Sequence, residues 1–261
     1  MKMIWAKQNL FWQFKPMNYA GAVALFLIWE IVSLSGVLNS FLFPTPVQVI
    51  LGLVKLFLSN EITIDLVSTL AKIIIAIVLG CAIGFVIGAL LSLSKKLYDA
   101  FSPMLDFFRS IPATALFPLC IIILGVGDAT SLALATWICA IYLALHVAKG
   151  LRSTSEGYLL VARSLRKTNF EIFFQVRLME ALPTIFVGLR AAASLAIVVI
   201  IVTEMFVGTT HGLGKVLIDS AYSYDMAQLY AVILIIGVIG YALNKIIIYS
   251  EKRIVHWEAK Q

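Results

Sequence analysis

LLVARSLRKTNFEIFFQVRLMEALPTIFVGLR, residues 159–190, lies between two long apolar stretches. It carries Arg163, Arg166, Lys167, Arg177 and Arg190, with Glu171 and Glu180, and then reaches Pro183. A charged, helix-patterned segment in the middle of so apolar a chain needs an aqueous side to sit on. Which side that is decides the fold.

Of the 261 residues, 61% are hydrophobic and only 13% charged, and the mean hydropathy is +0.99. Soluble domains carry about 25% charged residues. This chain has too little polar surface to cover its apolar groups, so the class is all-α, polytopic membrane protein. At about 20 residues per spanning helix, the length allows five or six spans.

Six apolar runs can be marked. The first is near 19–38 and contains Glu30, a carboxylate that must face protein, water or an interface. FPTPVQV follows, with Pro44 and Pro46 making a stiff turn before a short amphipathic helix over Val47–Leu58 that carries Lys55. The second run, 66–93, has Lys72 early and then Gly80, Gly84 and Gly88, a four-residue spacing that lets another helix approach closely. The third, 101–124, is interrupted by Pro103, Pro112 and Pro118, so it should be bent or broken. GVGD, residues 125–128, is a tight turn, and 129–147 is the fourth run. The fifth, 184–206, has Arg190 near its start and Glu204 near its end. A connection that is helical around 214–223 leads to the sixth, 226–249. The first 18 residues, with Trp5, Phe11, Trp12 and Phe14 among lysines, read as an interfacial segment. They are too polar for a cleavable signal. Residues 251–261 are a short polar tail, leaving 19–250 as one membrane domain.

With six spans and the N-terminus inside, Lys2, Lys7, Lys15, Lys95, Lys96, Lys149, Arg152, Arg163, Arg166, Lys167, Arg177, Lys252, Arg253 and Lys260 all fall in the cytoplasm, and Lys245 can snorkel there. Lys55 and Lys215 remain outside. That bias sets the orientation, and it accounts for the net charge of +6 without nucleic acid. Both termini are then inside, and residues 148–183 form the longest cytoplasmic connection. Leu159, Ala162, Leu165 and Leu160, Arg163, Lys167 fall on neighbouring helical faces. Thr168 or Asn169 with Glu171 caps a second helix that Pro183 ends. Two readings fit: a knob that docks on another protein and moves the fifth span, or an interfacial loop with no partner.

Chemistry is sparse. There is no GxxxxGK[ST] loop, so any nucleotide energy comes from another chain. Cys81, Cys120 and Cys139 lie in apolar runs, and His146, His211 and His256 are far apart; no metal or other cofactor is expected. No repeat or carboxylate pair points to an ion-coupled secondary transporter, and His146 lacks the neighbours of a lipid-modifying centre.

LVARSLR, residues 160–166, resembles the cytoplasmic loop of the permease subunits of bacterial ABC importers, in the nitrate/sulfonate/taurine/bicarbonate branch. That loop has a glutamate, two alanines and a glycine four residues later, closed by leucine-proline. Leu160 stands at the glutamate, Val161 and Ala162 at the alanines, Arg166 at the glycine, and Leu182–Pro183 at the closing pair. FPTPVQV, FFRSIPATALFPL (107–119), ILGVGD, GLRAAASLAIVVIIVTEMFVG (188–208) and HGLGKVLIDSA (211–221) resemble further segments of the branch.

The resemblance implies a type I importer permease, a multi-pass protein of the bacterial inner membrane that is not itself an enzyme. It implies three protein partners: a second permease chain, an ATP-binding cassette ATPase subunit and an extracytoplasmic solute-binding protein. The coupling helix would lie near 158–170, through Leu160, Val161, Ala162, Leu165 and Arg166. The cargo would be a sulfonate, nitrate, bicarbonate or taurine-like anion, or a small heterocyclic nutrient. Arg109, Arg190 and Lys72 are candidate pathway cations or helix-packing groups. Glu204 is a gating or bracing carboxylate, and Tyr222 lies at the outer mouth or in an interfacial belt. Leu160 for glutamate removes a charge, and Arg166 for glycine adds a bulky cation, which leaves room for a paralogue with altered coupling.

Overall fold

The computed structural model describes residues 17–58, 61–206 and 209–257, and every regular element among them is helical. In chain order these are α1 (Met17–Leu34), α2 (Pro46–Leu58), α3 (Glu61–Ser92), α4 (Lys95–Ser110), a 3-10 turn (Ala113–Leu116), α5 (Phe117–Leu124), α6 (Asp128–Arg152) and α7 (Glu156–Ser164). Then come α8 (Asn169–Ile172), a π turn (Phe173–Arg177), α9 (Leu178–Phe206), α10 (Leu213–Tyr222) and α11 (Met226–Ile254).

Four of the helical stretches are long and apolar enough to cross a membrane: Ile62–Ser92, Asp128–Arg152, Asn169–Phe206 and Met226–Ile254. A fifth forms if α4 and Ala113–Leu124, bent by 82°, make one span. The apolar part of α1 that is described, Val23–Leu34, is shorter. Helix length alone among the described residues therefore gives four or five spans rather than six. The 82° break has a local cause. Pro112 has no N–H to continue α4 and drives Ile111 into an extended conformation, φ −76°, ψ 120°. Pro118 then sits in the first turn of α5, where a missing N–H costs nothing.

α6 is the central helix, packed between α3 and α9. The glycine stripe of α3 makes the first contact possible. A Cβ on Gly84 would lie 2.5 Å from the Ala140 carbonyl oxygen, and one on Gly88 would lie 2.6 Å from that of Ala144. On the other side Gly150 of α6 meets Ala181 of α9, and Gly188 of α9 meets the His146 ring. Small residues at these points let apolar helices reach van der Waals contact, which is the main attraction left inside a bilayer. Gly125 (φ 81°) and Gly127 (φ 136°) make the turn into α6 in backbone regions costly for other residues. At the edge, Trp29 donates from Nε1 to the Pro44 carbonyl and packs with Phe43 and Tyr230, tying α1 and the following loop to α11.

Some expectations change. Pro183 does not end a helix: α9 runs through it, and with α8 and the π turn the helical stretch extends over Asn169–Phe206. One lost hydrogen bond is outweighed by packing on both sides, where Ala181 and Phe186 are buried. Glu30 is half-buried, and its Oε2 is a buried oxygen with no hydrogen-bond partner among the described residues. His146 Nδ1 bonds the Tyr142 carbonyl of its own helix, a structural role. The interfacial reading of residues 1–18 and the end of the 251–261 tail lie outside the described residues, apart from the start of α1 and residues up to 257.

Candidate functional site

Two constellations stand out, at opposite ends of the bundle. The first is where α3 and α6 begin and α9 finishes. Lys72 and Glu204 lie within the apolar stretches of α3 and α9, and they meet: Nζ to Oε1 is 2.9 Å, with side-chain exposures of 6% and 0%. Lys72 has three protons and three acceptors, namely Glu204, Asp128 Oδ1 at 2.8 Å and the His211 carbonyl at 3.0 Å. Thr69 Oγ1 lies 3.0 and 2.9 Å from the two Glu204 oxygens and donates to that carboxylate. Thr69 in turn accepts the Leu213 amide at 2.8 Å, while the Gly214 amide donates to Glu204 Oε2 at 2.9 Å. Asp65 accepts the Gly212 amide at 2.8 Å. The network thus joins α3, α6 and α9 to the start of α10: Lys72 matches the buried Glu204, Asp128 is 52% exposed, and Asp65, 14% exposed, lies 3.5 Å from His211 Nδ1.

The second is the 148–183 connection. Thr168 and Glu171 form a reciprocal capping box: Thr168 N–H donates to Glu171 Oε2 at 2.8 Å, and the Glu171 amide donates to Thr168 Oγ1 at 3.3 Å. The Ser155 amide at the start of α7 donates to the Glu180 carboxylate at 3.3 and 3.2 Å, tying α7 to α9. Arg166 adopts φ 53°. The residue standing at the glycine of the resembled loop thus takes a left-handed backbone, which costs a non-glycine residue roughly 1–2 kcal/mol.

Around this turn Tyr158, Val161, Leu165, Met179, Pro183 and Trp257 border an open groove of about 570 Å3. Leu165 is 67% and Val161 60% exposed, and Leu160 is equally open. Ala162 is the exception among the five coupling candidates. At 4% exposure it packs inward and cannot itself present a surface.

The candidate pathway residues do not converge. Arg109 pairs with Asp106 at 3.0 Å and lies 6.0 Å from the Tyr142 ring centroid. Arg190 reaches Glu251 at 3.9 Å, linking α9 to α11. Glu204 is committed to the buried network, and Tyr222 is exposed at the end of α10. Sequence reasoning missed Thr69, Asp65 and Asp128 as partners. The signal was there, since a lysine and a glutamate within the apolar stretches of two helices each need an opposite charge.

A family model described as the binding-protein-dependent transport system inner membrane component matches residues 76–256. The chain belongs to that family. The permease is similar to the nitrate import permease protein NrtB of Synechocystis sp., 26% identical over 94% of this chain and 92% of that one. It is also similar to the formylaminopyrimidine transport permease protein ThiX of Halalkalibacterium halodurans, 27% identical over 91% of this chain and 94% of the other. Among solved structures, the MetNI methionine ABC transporter in an inward-facing conformation has the same fold, with a TM-score of 0.63 and 23% identity over 77% of this chain and 97% of that chain. The permease is therefore a multi-pass inner-membrane subunit of an ABC importer, not a catalytic subunit.

Proposed function

We propose that this permease forms half of a gated pathway, paired with a second copy of itself, and that residues 148–183 dock on the ATPase subunit in the cytosol. In this reading α1 is a sixth span, both termini are cytoplasmic, and the end bearing Lys72 and Glu204 faces outward towards the solute-binding protein. The observation that carries it is the open apolar rim of Val161 and Leu165 around the groove, on the connection whose second half, from Asn169, runs without a break into α9. Leu160 and Arg166 extend that rim, and Ala162 supports it from below. A push on α7 passes through the Ser155–Glu180 tie and the π turn into a membrane helix. The cargo is a small anion or a small nitrogen heterocycle. Relatives named for nitrate and for formylaminopyrimidine support this class, and Arg109 and Arg190 are the cations such a pathway would use.

Leu165→Glu tests the docking. In vesicles holding the complete importer, ATP-driven uptake should fall about tenfold or more, because a carboxylate would be buried unpaired at the contact. The amount of folded permease should not change, since Leu165 makes no core contact. Uptake at the wild-type rate would contradict the docking.

A further inference from the structure

Beside the docking groove lies a second, polar cavity of about 200 Å3. Lys95 at the start of α4, Arg152 at the end of α6 and Arg177 in the π turn line it, with Ser92 and Thr154. No carboxylate lines it. Of the acidic groups of the connection, Glu180 is engaged by the Ser155 amide and Glu171 by its capping box, and Glu156, exposed at the start of α7, forms no ion pair with the cavity cations. Among the described residues Lys95 and Arg177 have no hydrogen-bond or ion-pair partner. Arg152 stacks over Tyr98, 4.3 Å from the ring centroid, and reaches the Ser94 carbonyl at 3.5 Å, which leaves most of its donors unused. The Ser92 hydroxyl bonds the Ala89 carbonyl of its own helix, and the Thr154 hydroxyl, just past α6, bonds the Leu151 carbonyl. The carbonyl end of α6 offsets part of the positive charge. The start of α4 adds to it, because Ser94 makes no side-chain cap there.

Three cations from three elements around one concavity repel each other unless an anion sits between them, and the concave shape concentrates their potential. We propose that this cavity binds a phosphoryl group, that of an anionic phospholipid headgroup in the inner leaflet. The leaflet rests on the cytosolic placement of residues 148–183 given above; the phosphoryl chemistry does not. Leu90, Leu93, Leu97 and Phe101 are exposed next to Lys95 along α3 and α4, an apolar track for the acyl chains. A bound headgroup would bridge α4, α6 and the π turn, fixing the root of the coupling connection to the membrane domain.

The test uses the purified complex of permease and ATPase subunit in neutral detergent. Native mass spectrometry reads retention of phosphatidylglycerol against phosphatidylcholine, and thermal unfolding reads stabilisation by inorganic phosphate. Wild type should retain phosphatidylglycerol selectively. Lys95→Gln and Arg177→Gln should each bind it about fivefold more weakly, and Lys149→Gln, outside the cavity, should bind as wild type does. Lys95 is exposed, so its variant remains informative if Arg177→Gln fails to fold. Phosphate stabilisation that both cavity variants lose, without any lipid preference, would assign the site to free phosphate and overturn the lipid. Binding of both probes that Lys95→Gln and Arg177→Gln leave unchanged, or no binding by wild type, would overturn the site itself. Both faces are open in detergent, so a reversed orientation would leave these readouts intact and appear only in sided labelling of vesicles.

Discussion

Lys72→Met is expected to destabilise the permease by about 3–5 kcal/mol, since it leaves the Glu204 carboxylate buried without a counter-charge. Glu204 is fully inside the bundle, and Lys72 is its only cationic partner among the described residues. The loss should appear as a fall in Tm on the order of 10 °C for the detergent-solubilised protein. The mechanism makes a sharper demand on the double variant. Glu204→Gln keeps an oxygen to accept from Thr69 and the Gly214 amide, while removing the charge that Lys72 neutralises. Lys72→Met combined with Glu204→Gln should therefore recover much of the loss, with a coupling of about 1–3 kcal/mol in a double-mutant cycle. Additive losses would mean that the two side chains act independently, and the bridge between α3, α9 and α10 would then have no energetic content.

Gly84→Leu is expected to cost at least about 3 kcal/mol and to strip folded permease from the membrane. Its Cβ alone would lie 2.5 Å from the Ala140 carbonyl oxygen and 2.9 Å from the Leu143 Cβ. The first of these is backbone and cannot rotate away, so α3 and α6 would have to separate along their whole contact. Gly237 on α11 has nothing within 4 Å of its Cβ position. Gly237→Ala should be neutral, or stabilising by up to about 1 kcal/mol from helix propensity. The quantity to compare is the yield and unfolding temperature of the two variants. Equal behaviour would contradict the close approach of α3 and α6.

The long helices were legible because lipid demands apolar runs, and the glycine spacing of α3 named its packing face before its partner was known. The break in the third run followed from Pro112, since the residue before a proline leaves helical space. Pro183 misled because the same rule ignores neighbours: a helix wedged against Gly150 and α6 tolerates one missing hydrogen bond. At the candidate site, pattern alone gave Glu204 and Lys72 as isolated charges. Their union depends on where the α9–α10 connection folds back, which no local spacing encodes. Ala162 was grouped with Leu165 by helical periodicity, yet one packs inward and the other outward, because the Arg166 turn and the Ser155–Glu180 tie set how α7 lies on α9.

Sidedness and contact of the 148–183 connection can be read together from Leu165→Cys. A membrane-impermeant maleimide should label it in inverted vesicles and not in right-side-out vesicles, and bound ATPase subunit should protect it several-fold. The unsubstituted chain, whose cysteines lie in apolar helices, serves as the blank. Labelling from the outer face, or labelling in inverted vesicles that the ATPase subunit leaves untouched, would contradict the account.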